Sequence, residues 1–330
     1  MMRIEAHYHR GAPELLRKLS LTPEMQRLRL VGMNCGCEYT AFRRFRGLKS
    51  YSRFDHSLGT ARIVWHFTAD PIQSTAALFH DIATPTFAHS VDFLRGDHLK
   101  QEATEEATER VIRGSEQIRT ILEEYKIPVE LVLDYHRYPI ADNDAPRLSA
   151  DRLEYTLGNL ENYRLRPLTA LKLYYNALCV APNEEGQQEL SFTDAASAID
   201  FGFDALRCSR IYVADEDRYA MQLLSELLGR AVTRGVLQEE DLMGTEPALI
   251  EKLKRDLQAA AEWKDFRSLK HMVEEEELAP AQLRRVIYAK KRCIDPFVRD
   301  KGRLSQICEP FAEELQAFRE QDQSHWICAK

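Results

Sequence analysis

Ala77-Leu-Phe-His80-Asp81-Ile-Ala-Thr-Pro85 is the stretch on which the reading of this chain turns. Small and apolar residues deliver an adjacent His-Asp pair and then stop at a proline. A buried carboxylate is unfavourable unless a cation or several donors meet it. Neutral imidazole and carboxylate are also good ligands for hard or borderline divalent metals. Neighbours on a helix project about 100° apart, so His80 and Asp81 can share one ion only in the wedge between them, near the helix end. An isolated pair of this kind more often caps a helix end, so the flanking segments decide.

Working outward, Asp70-Pro71 reads as a helix start, with Ile72, Thr75, Ala76 and Phe79 forming its inward face. Thr84-Pro85 breaks that helix. Upstream, Leu58, Ala61, Val64, Trp65 and Phe67 give a helix from His56 to Phe67 with one buried face. His56 falls in its first turn; His66 lies on the opposite side and is left out of the site. Downstream, Ser149 caps a helix in which Asp151 sits at the start, a position where the dipole and a metal together stabilise a carboxylate. Arg152 and Tyr155 there offer phosphate oxygens a guanidinium fork and a hydroxyl.

The ordered set His56, His80-Asp81 and Asp151, with the flanks Arg53-Phe-Asp-His56-Ser-Leu-Gly59 and Asp151-Arg-Leu-Glu-Tyr155, resembles the HD-domain superfamily of metal-dependent phosphohydrolases. Within it the match is nearest to the deoxynucleoside triphosphate triphosphohydrolases and covers residues 15 to 160. The resemblance implies an HD-type helical bundle in which His56, His80, Asp81 and Asp151 hold one divalent transition metal (Mn, Fe, Ni, Co or Zn), with Mg accompanying a nucleotide substrate. It further implies that Arg53 and Arg152 neutralise phosphate charge, that Tyr155 binds substrate, and that His89, oriented by Asp92, donates a proton to the leaving group. A homo-oligomer is implied by resemblance alone. The chain departs from the pattern at Thr84, where the family carries a histidine, and at Gln101-Glu102, where it carries His-Glu, with His98 nearby. Met33 or Asn34 falls where the family reads the sugar. Phosphate-ester hydrolysis survives these departures, but no particular substrate follows.

Composition sets outer bounds. Hydrophobic residues at 44% and charged residues at 29% fit an ordinary globular protein. A net charge of −7 excludes bulk electrostatic attraction to nucleic acid or an anionic membrane. No window reaches the ~18–20 apolar residues that span a membrane, and the first residues lack the apolar region of a signal peptide. Seven scattered cysteines without a Cys-x-x-Cys pair point to reduced thiols and a cytoplasmic protein. The expected partner is a small phosphorylated molecule, foremost a nucleotide.

The expected fold is mainly α. An HD-domain helical core occupies residues 1–160, and an accessory, mostly helical region with short β elements occupies 161–330. Residues 13–33 read as two short helices divided at Thr22-Pro23, with Arg27 and Arg29 off the apolar stripe on a basic face. Residues 34–51 read as a basic loop, and Pro128 as the start of a helix ending near His136. A β-hairpin is expected around the turn at 182–186, and two or three helices between 193 and 235. The basic stretch 282–295 is expected to pair as a strand with residues near 303–308. The functional expectation is a metal-dependent phosphohydrolase; the alternative is a metal-binding regulatory module without turnover. A metal-free scaffold leaves four ligand-type residues at family spacing unexplained.

Overall fold

In the computed structural model, which describes residues 4–8, 11–91, 105–273 and 284–330, Thr22-Pro23 separates α1 (Glu14–Ser20) from α2 (Pro23–Arg27). Helix α3 (Arg53–Thr68) begins with a reciprocal cap: the Ser52 hydroxyl accepts the Asp55 N–H while the Asp55 carboxylate accepts from the Ser52 backbone. Helix α4 (Pro71–Phe79) begins with Asp70 accepting from the N–H groups of Ile72 and Gln73 and a proline in the first turn. After α5 (Glu105–Gly114) and α6 (Glu116–Glu124), helix α7 (Ala150–Asn162) starts where Ser149 accepts the Arg152 N–H. Local caps thus fix the helices that carry the expected ligands, and α3 packs against both α4 and α7.

Two glycines set how closely α3 and α7 approach. A Cβ on Gly59 would lie 2.7 Å from the Glu154 side chain, and one on Gly158 would lie 2.5 Å from the Tyr51 hydroxyl. Neither position has room for a larger residue.

The structure corrects three expectations. Arg27 is not on a solvated face: it donates to the carbonyls of Ile82 (3.0 Å), Thr84 (2.8 Å) and Gly244 (3.0 Å). It fastens the turn after α4, where helical carbonyls have lost their own donors. Arg29 stacks on the Phe54 ring at 3.7 Å. After Pro128 only single 3-10 turns form, at Val129–Leu131 and Tyr135–Arg137. Asp134 takes the His136 N–H with its own carboxylate, a local bond that competes with helix continuation.

The third correction concerns the β structure. After α8 (Leu168–Asn176), the expected hairpin is present as β1 (Leu178–Pro182) antiparallel to β2 (Gln188–Phe192), with Leu178 opposite Phe192. Helices α9 (Ala195–Tyr212), α10 (Asp215–Thr233), α11 (Glu246–Arg255) and α12 (Leu257–Ser268) follow, with Gly235 in the left-handed region just past α10. The later strand pair is β3 (Phe297–Val298) with β4 (Gly302–Arg303), not 282–295 with 303–308. Within 284–295 one isolated bridge joins Arg285 to Ile327. The backbone there is taken by side chains instead: buried Arg218 donates to the Ile287 carbonyl, and the Gln323 side chain accepts the Ala289 N–H at 2.7 Å. Strand β3 runs parallel to β2, which gives a sheet ordered β1-β2-β3-β4. Helices α13 (Leu304–Ile307) and α14 (Glu309–Glu320) complete a mainly α architecture with one small sheet.

The apolar core is shared along the chain. Ile63 and Val64 of α3 and Leu153 and Leu157 of α7 belong to the same buried cluster as Phe192, Phe201 and Phe311. Arg303 of β4 ties its strand to β2 and the hairpin turn, with its guanidinium meeting both oxygens of buried Glu189 at 2.6 Å and those of Glu184 at 2.9 Å. Arg303→Met leaves the Glu189 carboxylate buried without its cation, which costs about 3–5 kcal/mol. The expected result is a matching fall in the urea midpoint at pH 7 with an unchanged slope.

Candidate metal centre

Three helix ends converge on one point. His56 stands in the first turn of α3, His80 caps the C-terminus of α4, and Asp151 stands in the first turn of α7. His56 Nε2 lies 3.0 Å from His80 Nε2 and 2.9 Å from Asp151 Oδ1, and His80 Nε2 lies 3.5 Å from that same oxygen. Asp81 Oδ2 approaches His80 Nε2 to 3.6 Å and His56 Nε2 to 3.9 Å.

Hydrogen bonds behind the rings decide what the Nε2 atoms are. His56 Nδ1 donates to the Glu154 carboxylate at 2.6 Å, and His80 Nδ1 donates to the Ala77 carbonyl at 2.7 Å. In a neutral imidazole the second nitrogen is then an acceptor. With both rings neutral, two lone pairs and a carboxylate oxygen point at one another across about 3 Å, an arrangement that calls for a proton or a metal cation between them. Two nitrogens bound to one ion at the usual ~2.1 Å and at right angles stand about 3 Å apart. The donor set fits a divalent metal such as Mn, Fe, Co, Ni or Zn. The electrostatics agree. Burial disfavours an imidazolium at His56, but the Asp151 and Glu154 carboxylates outweigh it and push the pKa up to about 10. Burial likewise opposes ionisation of Asp81, but Arg53 and the two imidazoles outweigh it and hold this carboxyl well below its ordinary range. The pocket favours a cation among anions.

The other expected residues are placed as follows. Arg53 donates to Asp81 Oδ2 at 2.9 Å, and the Thr84 hydroxyl donates to Asp81 Oδ1 at 2.8 Å. Thr84, where the resembling family carries a histidine, thus holds the Asp81 carboxylate. Arg152 is drawn into the preceding loop, 2.9 Å from Asp142 and 2.8 Å from the Asn143 side chain. Tyr155 has its ring 6.4 Å from that of His56, and burial pushes its hydroxyl up to about 12 against the pull of Arg292 and Arg152. His89 lies on the wall of the same cavity, just after Phe87 and Ala88, both left-handed with φ of 62° and 44°. Such backbone costs about 1–2 kcal/mol per residue, offset here by the complete burial of Phe87. His66 packs on Tyr175 instead, with ring centres 5.4 Å apart. Asp92, His98 and Gln101-Glu102 lie outside the described residues.

Sequence reasoning missed Glu154, whose position three residues after Asp151 places both carboxylates on one face of α7. Buried Glu154 accepts from the Tyr51 hydroxyl as well as from His56. The cluster opens into a cavity of about 1170 Å³ lined also by Tyr135, Asn159, Tyr212, Lys290 and Arg292. The sequence marked these last two residues as part of a basic stretch, but nothing in it placed them at this cavity.

No protein-family model matches the chain. It is 25% identical over 206 residues to the uncharacterized protein YdhJ of Bacillus subtilis, which covers 62% of this chain and 61% of that relative. It is 23% identical over 199 residues to the metal-dependent phosphohydrolase cns2 of Cordyceps militaris, which covers 58% of this chain and 55% of that relative. The match thus spans about three fifths of the length of these curated relatives. Among solved structures, a hypothetical protein from Aquifex aeolicus superposes with a TM-score of 0.63 at 16% identity, over 94% of this chain and 95% of that one. That likeness establishes a shared fold.

Because Glu154 fixes the tautomer of His56, Glu154→Gln removes the charge that raises the basicity of the ligand nitrogen. Metal affinity is expected to fall about 10–100-fold, measured by Co²⁺ titration of metal-stripped protein, while the urea midpoint shifts little.

Proposed function

We propose that the chain is a metal-dependent phosphohydrolase of the HD type, acting on a small phosphate ester. The observation that carries this reading is the pair of imidazole acceptors, His56 Nε2 and His80 Nε2, opposed at 3.0 Å beside Asp151 with both Nδ1 protons already committed. The name of the Cordyceps relative supports it.

His56, His80, Asp81 and Asp151 are the residues that would hold the ion. When bound, a divalent metal supplies a Lewis acid that polarises a phosphoryl oxygen and acidifies water. Glu154 and the Ala77 carbonyl keep both rings turned inward, and Arg53 with Thr84 keeps the Asp81 carboxylate ionised and aimed. Tyr155 offers a neutral hydroxyl donor at the cavity wall. His89 Nε2 accepts from Arg292 at 3.4 Å, so the proton it passes to a leaving oxygen resides on Nδ1. A cavity of about 1170 Å³ accommodates a molecule of nucleotide size. Nucleotides are the substrates to test first; a deoxynucleoside triphosphate substrate and a homo-oligomer rest on the sequence resemblance alone.

The test is a phosphate-release screen over nucleoside mono-, di- and triphosphates and simple phosphate esters, with Mn, Fe, Co, Ni or Zn. Asp81→Ala is expected to lose bound metal and turnover together, the latter on the order of a thousandfold, since the ion contributes several kcal/mol. Full turnover by this variant would refute the assignment. A wild-type protein that binds metal yet releases phosphate from nothing would be a binding module instead.

A further inference from the structure

Both arginines expected to meet phosphate are built into the site's own wall. Arg53 holds Asp81, and Arg152 holds Asp142, Asn143 and Ser149. Turning either guanidinium onto a substrate strips a largely buried carboxylate of its cation.

A different cation reaches the cavity from the far end of the chain. The segment 284–293 reaches it at residues 289–293, which bring Lys290 and Arg292 onto the wall. This strap is anchored at several points. Buried Arg218 donates to the carbonyls of Ile287 and Gln323, the Gln323 side chain accepts the Ala289 N–H, and Lys291 Nζ donates to the Arg319 carbonyl at 2.6 Å. The anchors bring Arg292 against His89. Its Nη2 lies 3.4 Å from His89 Nε2, and its charge acts on the hydroxyl of Tyr155, the residue whose ring faces His56. Three groups suited to a phosphoryl unit, from three distant parts of the chain, therefore line the cavity into which the His-Asp cluster opens.

Resting on the phosphohydrolase reading, we infer that Arg292 is the residue that grips the substrate's phosphoryl oxygens, so that the strap 284–293 completes the site. A planar guanidinium matches two phosphate oxygens at once, which a lysine ammonium does not.

The experiment is calorimetric titration of inorganic phosphate into the full chain loaded with Co²⁺. Arg292→Gln is expected to weaken phosphate binding about 10–100-fold, and Arg292→Lys to recover part of it. Arg285→Gln, on the same strap but paired with Glu226, is expected to stay within about twofold of wild type. Co²⁺ affinity in all three variants is expected to stay within about twofold of wild type. Phosphate binding by Arg292→Gln equal to that of wild type overturns the assignment, as does a Co²⁺-loaded wild type that binds no phosphate. Phosphate held through Arg292 with no ester hydrolysed sinks the enzyme reading and leaves this one standing. Ester hydrolysis with KM unchanged in Arg292→Gln does the reverse.

Discussion

Two imidazoles aimed at each other through their Nε2 atoms, 3.0 Å apart, are the constraint around which this structure is arranged. While both rings are neutral such a pair is repulsive, and Asp151 at 2.9 Å adds a further acceptor. A charge of opposite sign at the centre turns every one of these contacts favourable. The surrounding residues make sense as devices that hold this unfavourable geometry ready. The Ala77 carbonyl and Glu154 hold the rings from behind, and Arg53 and Thr84 hold Asp81 from the side.

Backbone details follow from that need. Gly59 and Gly158 let α3 and α7 approach until Glu154 can reach the back of His56 and Tyr51 can reach Glu154. Arg27 supplies donors to carbonyls exposed where the chain leaves α4 in a tight turn, so the pair His80-Asp81 stands at a firm helix end. The left-handed backbone at Phe87 and Ala88 is tolerated because the Phe87 ring is packed against Tyr39 and Trp263, and it delivers His89 to the cavity.

The later half of the chain contributes to the same cavity as well as to the same core. Tyr212 of α9 and the strap at 289–293 lie on its wall, while Arg303 of β4 pairs with Glu189 of β2 inside the sheet. Chemistry and support are therefore interleaved along the chain, with ligand groups from the early helices and much of the far wall from the end.

The helix starts and the candidate His-Asp pair were legible in the sequence, because both are local matters. A hydroxyl or carboxylate cap, a proline in the first turn and an adjacent His-Asp pair act within a few residues, and so they survive without knowledge of the fold. The hairpin at 178–192 was legible for the same reason. The expected strand at 282–295 failed because its backbone partners, Arg218 and Gln323, are side chains far along the chain rather than a neighbouring strand. Only the tertiary structure decided that Arg53 and Arg152 face carboxylates, that Glu154 stands behind His56, and that Arg292 arrives beside His89. Charge pairing across many tens of residues depends on which surfaces packing brings together, and no spacing in the sequence records that.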